Sequence, residues 1–351
     1  MKIIVTGAAG FIGAAVSARL LERGDEVVGI DNLNEYYDVS LKKARIDRLA
    51  KYKNFKLFRL DIKEGSETSS LFEREQPHRV INLAAQAGVR DSVDNPHIHV
   101  NSNLVGFTNI LEGCKKVSVQ HLVYASSSTV YGAGTKLPFS EHDPAEHPIS
   151  LYGATKRANE LLAHAYSSLF GLATTGVRFF TTYGPWGRPD LAIFKFVRCI
   201  LDGEAIDLYN NGLNCRDFVF IDDVVECVIR ALDKVAEVDI SWSGNAPSRE
   251  TSYAPYRIYN IGSGQQIQIN DLIKIIEQCL GMKAVTRLIE DQPGDVRATQ
   301  ANVDLLEMAL GYRPQVGIKT GIRRFISWYL HYYQSKKNDV GQLSSEFGKS
   351  E

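Results

Sequence analysis

Residues 2–31 constrain the fold more than any other stretch. A β-branched run from Ile3 to Thr6 leads into Gly7, Gly10 and Gly13, then an apolar pattern of helical period through Leu21, which Gly24 stops. A second strand-like run, EVVGI, ends at Asp31, 18 residues after Gly13. Strand, glycine turn, helix and strand in this order set the amides of a helix start where a pyrophosphate can meet them. Phe11 and Ile12 open that helix, and Asn32 follows the acid. A carboxylate at the end of the second strand accepts both ribose hydroxyls of an adenosine, whereas a 2′-phosphate calls for an arginine, so the pattern favours NAD.

Strand and helix go on alternating. FKLFRL runs to Asp61 and Ile62, RVINLAA to Leu83, Ala84 and Ala85, and HLVYASSS to Ser126, Ser127 and Ser128. Alternation of this kind predicts an α/β fold, a Rossmann doubly wound parallel sheet whose carboxyl edge takes the ligand. Residues 33–50 predict a charged insertion, loop then exposed helix, flanking the cofactor. A later helix carries Asn101, a cofactor-binding candidate expected to be buried and bonded to strand backbone. Arg90, in a glycine-containing loop at the same edge, is either a solvated arginine or an anion contact.

Tyr152 and Lys156 stand four apart in SLYGATKRANELLAHAYSSLF, hence one turn apart on one helix face. An ammonium beside a phenol favours the phenolate and draws its pKa down from about 10. Such a spacing also arises on ordinary amphipathic helices, so its meaning depends on its surroundings. Ser127, Ser128 and Thr129, some 25 residues earlier, are either turn chemistry or hydroxyls set beside that phenol.

With 40 basic against 41 acidic residues and a net charge of -1, no excess of positive charge is available for a phosphate backbone, so no nucleic-acid partner is expected. The five cysteines are scattered without a CxxC spacing, and His97 and His99 form no metal-ligand pattern; no metal is expected. The apolar run after Met1 reaches glycine by residue 7, too short for a signal peptide or a membrane span, which makes a cytoplasmic location and no membrane partner the expectation.

GAAGFIG, Asp31, SSSTVYG, YGATK and RFFTTYGPWGRPDLA together resemble the extended short-chain dehydrogenase/reductase family, in particular its nucleotide-sugar epimerases, over roughly residues 1–333. RFFTTYGPWGRPD and QPGDVRAT are most similar to the UDP-glucuronate 4-epimerases. The resemblance implies an NAD-binding domain over 1–180 with returning segments near 216–235 and 257–262. A smaller C-terminal α/β substrate-binding lobe would take 181–215 and 236–333, and 334–351 would be a polar, disordered tail. It implies Ser127, Tyr152 and Lys156 as catalytic residues, NAD as cofactor, a UDP-sugar substrate and a homodimer.

By the same resemblance Thr181 faces the hexose, and Arg216 and Arg297 hold the pyrophosphate. Arg188 in WGRPD offers a fork for a uronate carboxylate, or else pairs with Asp190. Asp222 and Asp223 fit a helix cap better than a metal pair. Dehydratases of the family carry an acid pair where Ser128 and Thr129 stand, which disfavours elimination of water. A 4-epimerase of UDP-glucose or UDP-N-acetylhexosamines, a UDP-glucuronate decarboxylase and a non-catalytic NAD-binding regulator remain as alternatives.

Overall fold

The protein is described from a computed structural model, covering residues 1–133, 136–290 and 296–347, with 334–347 as backbone only. The chain begins β1 (Lys2–Thr6), α1 (Phe11–Glu22), β2 (Glu26–Asp31), α2 (Val39–Leu49), β3 (Phe55–Arg59), α3 (Gly65–Glu75) and β4 (Arg79–Asn82). It continues through α4 (Asp91–Asp94), α5 (Pro96–Val100), a π-helical stretch Asn101–Val105, α6 (Gly106–Lys116), β5 (His121–Ser127), α7 (Leu151–Phe170), β6 (Thr174–Phe179) and β7 (Thr181–Tyr183). Next come α8 (Ala192–Asp202), β8 (Ala205–Tyr209), β9 (Cys215–Phe220), α9 (Ile221–Asp233), β10 (Tyr256–Ile261) and β11 (Gln266–Gln268). Last are α10 (Ile269–Leu280), β12 (Val285–Ile289), α11 (Asp304–Leu310) and α12 (Ile318–Phe347).

Seven strands form one sheet in the order β10-β6-β5-β4-β1-β2-β3, every pair parallel. Strand order reverses between β1 and β4, and a crevice opens at such a switch point, outside the carboxyl ends of the strands. The strands are buried on both faces because their alternate side chains enter two cores. Ile3, Val5, Val27 and Val123 pack with α1 and α9, in a cluster that continues into Phe194, Leu272 and Phe325 of the later helices. Ile4, Val28, Val80 and Leu122 pack on the opposite face with α3, α6 and Ala163 of α7. Buried Thr6 and Asn82 pin the edge of the crevice: the Thr6 hydroxyl donates to Asn82 Oδ1 at 2.7 Å and accepts from the Ala84 amide at 3.1 Å.

β7, β9 and β11 make a three-stranded sheet, and β8 pairs with β12. Of the segments expected to return to the NAD-binding domain, 257–262 brings β10 to the large sheet, while 216–235 brings β9, which pairs with β7 and β11, and α9, which packs against the large sheet. α12 runs on to Phe347, through most of the stretch expected to be a disordered tail. In the 236–256 segment Asp239 accepts from Ser241 and Thr251, and Trp242 packs edge-on to Tyr253. Among the described residues no helix is long and apolar enough to cross a membrane.

Candidate active site

A cavity of about 1000 Å³ opens at the switch point and runs from the glycine turn past Tyr152 to Arg216. Gly7 has φ +70°, and a Cβ on it would meet the Ala84 amide at 2.9 Å; one on Gly13 would stand 2.0 Å from the Gly7 carbonyl. Only glycine lets the turn, the start of α1 and the end of β4 come so close. No acid occupies the first turn of α1, so its amides are left for an anion. Phe11, Ile12, Asn32, Asp61, Ile62, Leu83, Ala84 and Ala85 line the same cavity. Asp31 accepts from the amides of Ala9 at 3.0 Å and Leu33 at 2.8 Å, one on each oxygen. Each oxygen keeps a further lone pair, enough for a hydroxyl donor. The cradle therefore fits an adenosine diphosphate moiety, the half of NAD that the sequence pattern implied.

Asn101 is corrected by the structure. It is exposed, and Asn103 makes the buried bonds expected of it, accepting from the Gln86 amide at 2.8 Å and donating to the Gln86 carbonyl and to Thr155 Oγ1, both at 3.1 Å. A π-helical turn over Asn101–Val105 rotates the helix face away from a count of 3.6 residues per turn. Ser102 lines the cavity in its place.

β5 delivers Ser127 at its carboxyl end, and α7 is capped by Ser150, whose hydroxyl accepts from the Gly153 amide at 3.0 Å. Ser127 Oγ accepts from the amide and hydroxyl of Thr129 at 3.2 and 3.0 Å. With both lone pairs engaged, its own hydrogen is the one left to donate, and the Tyr152 hydroxyl is in hydrogen-bonding reach. The Lys156 ammonium donates to the Ala125 carbonyl at 3.0 Å and lies 5.8 Å from the centre of the Tyr152 ring. Burial lowers the Lys156 pKa to about 8. The expected depression of the Tyr152 pKa by Lys156 is not found: burial raises it, against opposing pulls from Arg188 and the Ser127 bond. Behind the cluster Glu160 accepts from Ser126 at 2.6 Å and from Arg178 at 2.8 and 3.0 Å, which fixes α7 against β5 and β6.

Thr181, Ser128, Thr129, Arg90, Arg188 and Arg216 also line the cavity. Arg90 donates to Tyr209 Oη at 2.8 Å and lies over its ring. Arg188 forms the two-bonded pair with Asp190, at 3.0 and 2.5 Å, and sits 5.7 Å from the centre of the Tyr36 ring. Arg216 bonds the carbonyls of Cys215 and Arg297, while the Arg297 side chain is exposed. Residues 292–295 of QPGDVRAT lie outside the described residues. Asp223 accepts from Tyr312 Oη and the amides of Gln315 and Val316, and Asp222 pairs with Arg324. Among the described residues no group of three metal-ligating side chains occurs.

The sequence reading missed Asn34, Tyr36, Tyr37 and Lys42 from the insertion, and Lys195 and Arg198 from α8, all of which line the cavity. Lys195 and Arg198 are three apart on a helix following the WGRPD loop, a spacing that could have revealed them.

The sequence profile of the NAD dependent epimerase/dehydratase family matches residues 3–262. Over 334 residues the chain is 48% identical to Protein CapI of Staphylococcus aureus, covering 95% of this chain and 100% of that one. It is 45% identical over 342 residues to UDP-glucuronate 4-epimerase 4 of Arabidopsis thaliana, covering 96% and 77%. The crystal structure of UDP-glucuronic acid 4-epimerase from Bacillus cereus in complex with UDP-glucuronic acid and NAD superposes with a TM-score of 0.84 at 30% identity, covering 95% of this chain and 100% of that one.

Proposed function

The chain belongs to the NAD dependent epimerase/dehydratase family, and on that premise we propose that it interconverts UDP-glucuronate and UDP-galacturonate by inverting C4 through a 4-keto sugar. The observation that carries this reading is that Ser127, Tyr152 and Lys156 line one cavity together with the glycine turn and Arg216. Gly7, Gly10, Gly13 and Asp31 would hold the NAD diphosphate and adenosine ribose, and Lys156 the nicotinamide ribose. The chemistry supplied by bound NAD is reversible uptake of a hydride from C4 of the sugar.

Tyr152 takes the proton of the C4 hydroxyl as the ketone forms and returns it on reduction. Ser127, whose hydrogen reaches the Tyr152 hydroxyl, would turn it to the same oxygen once the sugar is in place. Lys156, a buried cation at the Ala125 carbonyl, does not by itself lower the pKa of that phenol, and the positive charge of a bound nicotinamide would add to it in favouring the phenolate. Arg216 grips the UDP pyrophosphate, which leaves the ketosugar free to turn over about that link and present its other face.

A C4 ketone lies β to the uronate carboxylate, an arrangement that invites loss of carbon dioxide. Thr181 and Arg188, which line the same cavity, would hold the carboxylate so that the C5–carboxylate bond stays out of line with the carbonyl π system. No acid stands beside Ser127 to expel water.

The protein works as a cytoplasmic homodimer. Exposed Ile98, Val105, Leu161, Leu169 and Phe170 on α5, the π-helical stretch and α7 support the dimer.

Incubation with UDP-glucuronate, followed through the C4 proton by NMR, gives UDP-galacturonate, while Tyr152→Phe retains NAD and forms no product. Turnover of UDP-glucose in its place would defeat the uronate assignment, and release of carbon dioxide with UDP-xylose would mark a decarboxylase.

A further inference from the structure

Helix α2 carries an arginine that the proposed chemistry does not use. Arg45 is fully buried, and its five bonds all go to neutral oxygens. Nη1 donates to the Ala9 carbonyl at 3.0 Å and to Tyr37 Oη at 2.6 Å. Nε and Nη2 both reach the Trp186 carbonyl, at 3.1 and 2.6 Å, and Nη2 also reaches that of Gly187 at 3.2 Å. Burying a cation among neutral acceptors is costly, and here it joins three separate pieces of chain. Ala9 belongs to the glycine turn, Tyr37 to the insertion after β2, and Trp186–Gly187 to the loop bearing Arg188 and Asp190.

Two further observations show what is being joined. Trp186 is held at φ +63°, a left-handed conformation that tryptophan disfavours, with its carbonyl taken by Arg45 and its indole covered by Arg48 at 4.6 Å. The insertion also spans the crevice. It leaves the end of β2, and Tyr36 Oη stands where a Cβ on Gly88, in the loop after β4, would approach within 2.5 Å. Since β1 lies between β2 and β4 in the sheet, the insertion arches across the end of β1, where the glycine turn sits. Asn34, Tyr36, Tyr37 and Lys42 accordingly line the same cavity as Gly10 and Asp31.

We propose that Arg45 is a positioning residue that pins this arch, and the Trp186–Asp190 loop with it, over the glycine turn, so that the dinucleotide stays bound from one turnover to the next. The proposal rests on the reading of that turn as an NAD site. An enzyme that returns its hydride to the same sugar needs no exchange of cofactor, so a pinned arch costs it nothing in rate.

The test compares wild type, Arg45→Met, Arg45→Lys and Tyr36→Ala. Bound NAD is assayed after denaturation, and its release is timed after dilution into an enzyme trap that consumes free NAD. Wild type holds NAD and releases it slowly. Arg45→Met releases it roughly tenfold faster or more, with activity that depends on added NAD. Arg45→Lys falls between the two. Tyr36→Ala, which leaves the buried cluster intact, also releases NAD faster and decides the matter if Arg45→Met fails to fold. Wild-type release rates in the variants would overturn the latch and leave the NAD site standing. A wild-type protein that neither carries nor takes up NAD would overturn the site and the proposal with it.

Discussion

Arg188 shows how a residue's setting changes the meaning of a motif. Its Nε and Nη2 are engaged by Asp190, so a uronate carboxylate must share the guanidinium with a resident acid. Arg188→Ala should lower kcat/KM for UDP-glucuronate about 10- to 100-fold more than for UDP-glucose, since only the uronate adds a charge-assisted bond. Equal losses on the two substrates would remove the carboxylate role. Glu141 titrates for a different reason. It is 1% exposed, and burial raises its pKa from the ordinary 4.5 to about 7, although the Asn260 amide donates to it at 2.7 Å and Arg178 lies near. A carboxyl whose folded pKa is raised contributes stability that is full below about 4.5 and is lost as pH rises through about 7. Glu141→Gln keeps the acceptor for Asn260 and cannot ionise. Its unfolding free energy should match wild type at about pH 4 and exceed it at about pH 8 by on the order of 1–3 kcal/mol; equal stability at both pH values would mean that Arg178 accommodates the carboxylate. Tyr152, Lys156 and Ser127 were legible in the sequence because one helix turn and one strand end define their geometry. Lys42 and Arg45 were not, because charges on a short helix suggest a solvated face, and the Arg45 acceptor at Trp186 lies 141 residues away.

At the scale of elements, the alternation of β-branched and helical periods recovered the parallel sheet, since each strand's pattern reflects its own two buried faces. It failed where an element departs from regular geometry or where pairing is non-local. The π-helical turn over Asn101–Val105 is the clearest instance, since it exchanges the roles of two asparagines two residues apart. Asn103→Ala should destabilise the protein by about 1–3 kcal/mol, because the backbone of Gln86 and the Thr155 hydroxyl lose buried partners. Asn101→Ala, at an exposed position, should change stability by less than about 0.5 kcal/mol. Denaturant midpoints of the two variants check this, and the reverse ranking would return Asn101 to the role first expected of it. The pairing of β9 is not legible in the same way. Its apolar CRDFVF suits any buried strand, and only its pairing with β7 and β11 places it.

Across the whole molecule, the side away from the cavity raises the question of what covers its apolar surface. On α7, Leu161 is 57% exposed and Leu169 71%, while Ala163 and Ser167, on the inward side, are buried. Leu161 and Leu169 are eight residues apart, hence on one stripe of the helix, and exposed Val105 lies on the neighbouring π-helical stretch. Two adjacent helices with apolar outer stripes suit a self-complementary contact, in which a second copy brings the same pair to make four helices about a two-fold axis. Such a contact holds α7, and with it Tyr152 and Lys156, from behind without touching the cavity. Leu161→Glu combined with Leu169→Glu places carboxylates on both sides of the axis and should yield a species of half the wild-type mass in analytical ultracentrifugation. Bound NAD should be retained, because the glycine turn lies on other elements. A wild-type protein that sediments as a monomer would remove the dimer, and a double variant that stays paired would move its contact to another surface; either leaves the outer face of α7 without a partner.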